Sequence, residues 1–184
     1  KGAYVYTRFC WVWSIHVYVI MLKTIENILN TVEKIFLQIL FVAMTLVVLI
    51  AVFNRITVNA QMAWSDELSR YLFVWLTFIA AAYAAGGKAH IGVTALVDIF
   101  PPAMKRVVEL LTYLLCLGLS FILVYFTAII MRTQIQYGQI SPSLRLPMQY
   151  AYAGMAVGGI FMAIHFLLHI CNFFAKPNSE EKGE

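Results

Sequence analysis

Four long stretches of the sequence contain no charged residue, and short polar segments separate them. The stretches cover residues 35–54, 71–87, 110–131 and 150–175. A helix rises 1.5 Å per residue, so about 20 apolar residues cross the roughly 30 Å hydrocarbon core of a bilayer. Charged residues make up only 12% of the chain, about half of what a soluble domain carries. The pattern predicts an all-α integral membrane protein with four transmembrane helices.

The segment before the first span contains a second, shorter apolar stretch. Residues 9–22 are apolar but number only 14, which is too few to cross a bilayer. A sequence typical of a protein start follows at Met21. We therefore predict that residues 1–20 are a leader or a non-native extension. The four-helix membrane domain then covers residues 21–175, and residues 176–184 form a charged cytoplasmic tail.

Residues 23–34 carry apolar and polar side chains on different sides of a predicted helix. Ile28 and Val32 share one side, whereas Asn30 and Glu33 lie elsewhere. A helix with this distribution typically lies in the membrane surface, with its polar side toward water. We therefore predict a short N-terminal interfacial helix that leads into the first span.

The distribution of basic residues predicts the orientation. If the N-terminus is cytoplasmic, nine Lys and Arg residues lie in inner segments and four lie in outer segments. Cytoplasmic segments of membrane proteins carry the excess of basic residues. Both termini are therefore predicted in the cytoplasm, and residues 64–71 are predicted at the outer face.

The segment 64–71 combines acids, a base and aromatic residues at the start of the second span. Asp66 and Glu67 lie four and three residues before Arg70, a spacing that favours ion pairs on a helix. Arg70 lies about one turn inside the span, where an unpaired charge is costly, so a partner acid or a lipid phosphate is expected. Simple capping of the helix explains the acids equally well. Three residues are typical of an aromatic belt: Trp64, Tyr71 and Trp75.

Small residues recur at four-residue spacing in two spans. Thr77, Ala81 and Ala85 give this spacing in the second span, and Gly154 and Gly158 give it in the fourth. Such spacing lets helix backbones approach closely. Packing within the four-helix domain and packing against a partner both account for it.

The centres of the four spans contain no acid or base. Their main polar residues are Thr45, Thr77, Ser120 and Thr127, whose hydroxyls can bond to carbonyls of their own helices. Transporters of charged solutes usually keep ionisable groups near the bilayer centre, facing a cavity. We therefore predict that this chain alone contains no site for substrate or coupling ion.

Histidine and cysteine are the remaining candidates for cofactor ligands. His165 and His169 lie four residues apart near the end of the fourth span. Two interpretations fit this position: a pair of metal or haem ligands, or polar residues at the inner headgroups. The three cysteines show no C-x-x-C spacing, so a zinc site is not supported. We predict no cofactor, no metal and no nucleic-acid partner.

Four motifs in this sequence resemble the small membrane subunit of tripartite ATP-independent periplasmic (TRAP) transporters, the DctQ-like family. They are WSDELSRYLFVW at 64–75, AAYAAGGKAHIGV at 81–93, VDIFPP at 97–102 and SPSLRLPM at 141–148. The motifs occur in the family's order and, taken together, extend over most of the chain.

The resemblance implies a non-enzymatic scaffold subunit of the bacterial inner membrane. Such a subunit pairs stably with a large membrane subunit that carries substrate and sodium. A periplasmic substrate-binding protein delivers an organic acid, such as a dicarboxylate or a sialic acid, to that pair. Phospholipids are the third expected partner. The residues assigned to subunit or lipid interfaces, or to structural roles, are Trp64, Asp66, Glu67, Arg70, Tyr71, Trp75, Ala81, Ala85, Lys88, His90, Pro102, Gly154 and Gly158.

Two alternative functions remain open from the sequence. A four-helix redox subunit would bind haem or quinone through His165 and His169. A stand-alone exporter of the small multidrug type would need a carboxylate in its first span, and residues 35–54 contain none.

Overall fold

Four α-helices account for most of the residues that the structure describes. The structure is a computed structural model and describes residues 3–57, 62–87 and 102–175. The helices are α1 (Ala3–Thr57), α2 (Ala63–Gly86), α3 (Pro102–Gln136) and α4 (Gln149–Ala175). Each contains a segment long and apolar enough to cross a membrane. The four predicted spans are therefore confirmed, whereas the orientation of the termini stays a prediction.

Helix α1 is continuous through the segment that we predicted as a separate interfacial helix. No Gly or Pro occurs between Ala3 and Thr57, so the sequence contains no helix-ending residue there. Ile28 and Val32 are exposed, whereas Glu33 is completely buried. The prediction of a separate surface helix is wrong at this point, because residues 23–34 continue α1, and Glu33 faces protein whereas Ile28 and Val32 face outward. The assignment of residues 1–20 as a leader stays a prediction.

The helices pack as a layer rather than as a closed bundle. Helix α4 packs against α2 on one side and α3 on the other, and α1 packs against α2 and touches α4 less extensively. Among the described residues, α1 and α3 do not meet, and neither do α2 and α3. In an apolar stretch of 18 residues of α4 33% of the residues are buried, against 6% in the corresponding stretch of α1 and 11% in that of α3. Helix α4 is therefore the centre of the layer, and α1 and α3 direct long apolar faces outward.

Helices α2 and α4 pack closely at two glycines of α4. A Cβ on Gly158 would lie 2.6 Å from the carbonyl oxygen of Phe78, and a Cβ on Gly154 would lie 2.8 Å from the ring of Trp75. These glycines therefore let the two backbones approach, as their spacing allows. The G-x-x-x-G motif of α4 is used inside the chain.

The connection between α3 and α4, residues 137–148, is a hydrogen-bonded turn that we call the outer loop, after the side of the membrane on which the predicted orientation places it. Gly138 and Arg145 adopt positive φ angles of 57° and 53°. The Ser141 N–H donates to the carbonyl of Leu146 at 2.9 Å, and the Met148 N–H donates to that of Gln139 at 3.1 Å. These bonds return the chain toward the layer, so that α4 runs antiparallel to α3.

Candidate functional site

The most buried charged residue of the described chain is Glu33, and its partner is His165. Nε2 of His165 lies 3.0 and 3.1 Å from the two carboxylate oxygens of Glu33. The side chain of Glu33 is 0% exposed to solvent, and that of His165 is 1% exposed. An ionised carboxylate only accepts hydrogen bonds, so Nε2 is the donor. We call these two residues the inner pair, after the predicted cytoplasmic side, and the pair joins α1 to α4.

Gly86, the last residue of α2, makes room for the inner pair. A Cβ at this position would lie 2.5 Å from both Asn30 Oδ1 and His165 Cε1. Asn30 Oδ1 and His165 Nδ1 are buried and have no hydrogen-bond partner among the described residues. Three helices therefore converge here, and any side chain larger than hydrogen on Gly86 would displace the polar groups.

His169 lies one turn beyond His165 and connects α4 to α2 and α3. Its Nε2 donates to the carbonyl of Ala85 at 2.9 Å. Its ring stacks on Tyr113, with centroids 5.5 Å apart, and the Tyr113 hydroxyl donates to Glu109 at 2.8 Å. Both histidines thus bind groups inside the chain rather than lipid headgroups. Among the described residues no three His, Cys, Asp or Glu side chains are grouped to hold a metal ion.

The second polar centre lies at the opposite end of the layer, where Glu67 binds the outer loop. The Glu67 carboxylate accepts hydrogen bonds from the backbone N–H groups of Ser143, at 3.0 Å, and Leu144, at 3.2 Å. The hydroxyl of Tyr71 donates to it at 3.3 Å. Backbone N–H groups that bind a carboxylate are strong donors, so Glu67 fixes the position of the loop relative to α2.

The structure changes the interpretation of the Asp66, Glu67 and Arg70 group. Glu67 bonds to the loop, and Arg70 is exposed and forms no ion pair with a described residue. The predicted pairing within the chain is therefore not formed. A partner acid or a lipid phosphate for Arg70 stays a prediction. Asp66 lies in the first turn of α2, where the negative charge of an acid interacts favourably with the helix dipole.

Trp75 lies between helices rather than in an aromatic belt. Its Nε1–H donates to the carbonyl of Tyr150 at 2.9 Å. Its ring also meets Phe36 of α1 edge-on, with centroids 6.0 Å apart. Trp75 therefore contacts both α1 and α4. Trp64, near the start of α2, is 38% exposed, and its place in an aromatic belt stays a prediction.

The other predicted site residues fall into three groups. On α2, Ala85 is buried and Ala81 is half-buried, whereas Thr77 of the same small-residue series is exposed. Pro102 is the first residue of α3, as expected for proline. Lys88 and His90 lie outside the described residues.

The comparison with known families decides what kind of protein this arrangement belongs to. The family described as "Tripartite ATP-independent periplasmic transporters, DctQ component" matches residues 44–176. The chain belongs to this family. It is a small permease subunit of a TRAP transporter in the bacterial inner membrane, and a component of transport rather than an enzyme.

Curated relatives of this DctQ-family chain carry different substrate names. The sialic acid TRAP transporter small permease protein of Vibrio cholerae is 28% identical over 156 residues, covering 82% of this chain and 86% of the relative. The ectoine TRAP transporter small permease protein of Halomonas elongata is 24% identical over 147 residues, covering 80% and 76%. The isethionate TRAP transporter permease protein DctMQ of Oleidesulfovibrio alaskensis is 25% identical over 108 residues, covering 59% and 17%.

The inner pair lies only partly within the DctQ-family match. His165 is inside residues 44–176, whereas Glu33 and Asn30 precede them. Neither the motifs nor the charge-free stretches predicted this pair, because its members are 132 positions apart. The available signal was the presence of polar residues in 23–34, of which Asn30 and Glu33 turn toward the protein.

Proposed function

We propose that this chain is the small scaffold subunit of a sodium-coupled TRAP transporter for organic acids of the dicarboxylate or sialic acid type. It pairs stably with a large transport subunit, which carries the substrate and the sodium ions. Its outer end receives a periplasmic substrate-binding protein. The chain braces the large subunit and does not itself bind the acid.

The observation that carries this proposal is the use of polar groups inside the layer. Glu33 and His165 bind each other, and His169 donates to a backbone carbonyl. Thr45 and Ser120 donate to carbonyls of their own helices, at 2.8 Å each. A substrate site in a membrane requires ionisable groups or helix ends that are available to the solute. Here the histidines and Glu33 join different helices, and the two hydroxyls are satisfied within their own helices, so none of these groups is left for a solute.

The outward faces of the layer support a stable membrane partner. Helices α1 and α3 do not contact each other, and most of their large apolar side chains are exposed. Lipid or another membrane protein can cover such faces. The relative named DctMQ is a permease protein of which the match covers only 17%. A small-subunit sequence within a much longer permease polypeptide favours a protein partner for one of these faces.

Co-purification tests the partnership. The tagged chain, expressed from its native genomic context and extracted in mild detergent, should retain one large membrane protein at a fixed ratio. A tagged, unrelated four-helix membrane protein from the same cells serves as the control. Purification of the chain without any large membrane protein, in detergents that preserve other complexes, would contradict the proposal.

The two alternatives make different predictions. A haem or quinone subunit needs histidine nitrogens that a cofactor can reach, but Nε2 of His165 and of His169 each bind a group in the chain, and Nδ1 of His165 is buried. A Soret band in the purified protein would support that alternative. A small multidrug-type exporter needs an accessible carboxylate in its first helix, whereas Glu33 is completely buried against His165. Proton-driven export of a cationic dye by the chain alone would support this second alternative.

A further inference from the structure

A cavity of about 270 Å³ opens between the outer end of α1 and the start of α2. Its volume is just below the range of about 300–1,000 Å³ that is typical of small-molecule sites. The cavity belongs to neither the inner pair nor the outer loop, and we call it the α1–α2 groove. It is lined by Val48, Ala51, Val52, Arg55, Met62, Ser65, Asp66 and Ser69.

The α1–α2 groove changes from charged to apolar along α1. Val48, Val52 and Arg55 follow one another at four- and three-residue spacing, so they lie on one side of the helix. Arg55 is in the last turn of α1, and Val48 lies about 10 Å deeper along the axis. A charged end at the membrane surface above an apolar wall is the polarity profile of a phospholipid headgroup and its acyl chain.

The charged end of the groove carries one basic residue and one acidic residue. Arg55 and Asp66 both line it, both are exposed, and neither forms an ion pair with a described residue. A guanidinium binds phosphate through parallel hydrogen bonds, and a carboxylate accepts hydrogen bonds from an ammonium group. A ligand that contains both a phosphate and an ammonium group therefore complements the two residues.

The serines of the groove add acceptors beside the acid. The Ser69 hydroxyl donates to the carbonyl of Asp66 at 3.0 Å, and the Ser65 hydroxyl donates to that of Met62 at 2.7 Å. Each hydroxyl oxygen keeps a lone pair that can accept a further bond. Acceptors thus lie on α2, whereas the phosphate-binding cation lies on α1.

We propose that the α1–α2 groove binds a phosphatidylethanolamine-type phospholipid, with its phosphate on Arg55, its ammonium group on Asp66 and an acyl chain along Val48 and Val52. The apolar wall requires a lipid rather than a soluble phosphoamine. Phosphatidylglycerol has the phosphate but no ammonium group, so it leaves Asp66 without a partner and near a negative charge. The groove therefore prefers the ethanolamine headgroup.

Native mass spectrometry of the delipidated full chain in detergent tests the proposal. Wild type should bind phosphatidylethanolamine about tenfold more tightly than phosphatidylglycerol, since a hydrogen bond to a charged group accounts for roughly that ratio. Arg55→Gln should weaken binding of both lipids about tenfold. Asp66→Asn should weaken binding of phosphatidylethanolamine alone and so remove the preference. Arg132→Gln, an exposed outer arginine on α3, is the matched control and should change neither affinity.

Several results would overturn the proposal. Equal binding of the two lipids by wild type would rule out the proposed contact between the ammonium group and Asp66. An unchanged preference in Asp66→Asn would rule it out as well. Equal losses in Arg132→Gln and Arg55→Gln would show a general attraction of lipid phosphate to basic residues. Competition by free phosphoethanolamine at the lipid's own concentration would assign the groove to a soluble ligand. The measurement needs no large subunit, so its failure would leave the scaffold function standing.

Discussion

Breaking the inner pair is the most informative perturbation of this fold. Glu33→Leu removes the carboxylate that accepts from His165 Nε2 at 3.0 and 3.1 Å. His165 stays buried, with Nδ1 already lacking a partner among the described residues. The substitution therefore leaves a buried imidazole with no hydrogen-bond partner in that part of the chain. We expect α1 to separate from α4 at this end of the layer.

The size of the effect follows from the burial of both partners. Removing one member of a buried ion pair typically costs about 3–5 kcal/mol, because the other member is left uncompensated. Polar contacts between membrane helices are worth less, on average about 0.6 kcal/mol. The inner pair is completely buried, and His165 Nε2 lies within hydrogen-bond distance of both carboxylate oxygens, so we expect a loss of about 3 kcal/mol. Replacing both residues by leucine should restore part of this loss, because no polar group is then left alone.

Reversible unfolding in mixed detergent micelles, followed by circular dichroism, measures the free energy for each variant. The set comprises Glu33→Leu, His165→Leu and the double variant, with Glu26→Leu as the control. Glu26 lies two turns before Glu33 on α1 and is only half-buried, so its replacement should cost less than about 1 kcal/mol. A double variant whose loss equals the sum of the single losses would refute the reasoning. So would a Glu33→Leu variant as stable as Glu26→Leu.

Three further predictions concern packing, the outer loop and orientation. Gly158→Ala should lower the unfolding free energy by about 1–3 kcal/mol, because its Cβ would meet the Phe78 backbone at 2.6 Å. Gly118 has open space around it, so Gly118→Ala should be neutral or stabilising. Equal losses in the two variants would contradict the packing account. Glu67→Ala should speed hydrogen exchange at the Ser143 amide by about tenfold or more, since it removes a charge-assisted acceptor; unchanged exchange would exclude the carboxylate as the loop's anchor. In a cysteine-free background, Ser143→Cys should react with a membrane-impermeant thiol reagent in intact spheroplasts and Met104→Cys should not, and the reverse result would invert the predicted orientation.

The membrane spans were predictable because their signal is local. A charge-free stretch of about 20 residues can cross a bilayer only as a helix, whatever lies beside it. The G-x-x-x-G spacing of Gly154 and Gly158 also predicted close packing correctly. It did not identify the neighbour, since the same spacing serves contacts inside a chain and between chains.

The inner pair and the role of Glu67 depend on contacts that no local pattern contains. Glu67 is near Arg70 in sequence, but its carboxylate binds amides 76 and 77 positions away. Residues 23–34 have the polar and apolar sides of a surface helix. In a membrane domain the same distribution also suits a helix whose polar side pairs inside the protein. The sequence does not distinguish these cases, because the partner His165 lies on another helix.

Reconstitution into liposomes under an inward sodium gradient tests the scaffold function most directly. The compared samples are this chain alone, the large subunit alone and both together, each with substrate-binding protein and labelled organic acid. We expect sodium-dependent uptake only when both membrane subunits are present, because the buried ionisable residues Glu33 and His165 of this chain bind each other rather than a solute. Sodium-driven uptake by this chain without the large subunit would contradict the account.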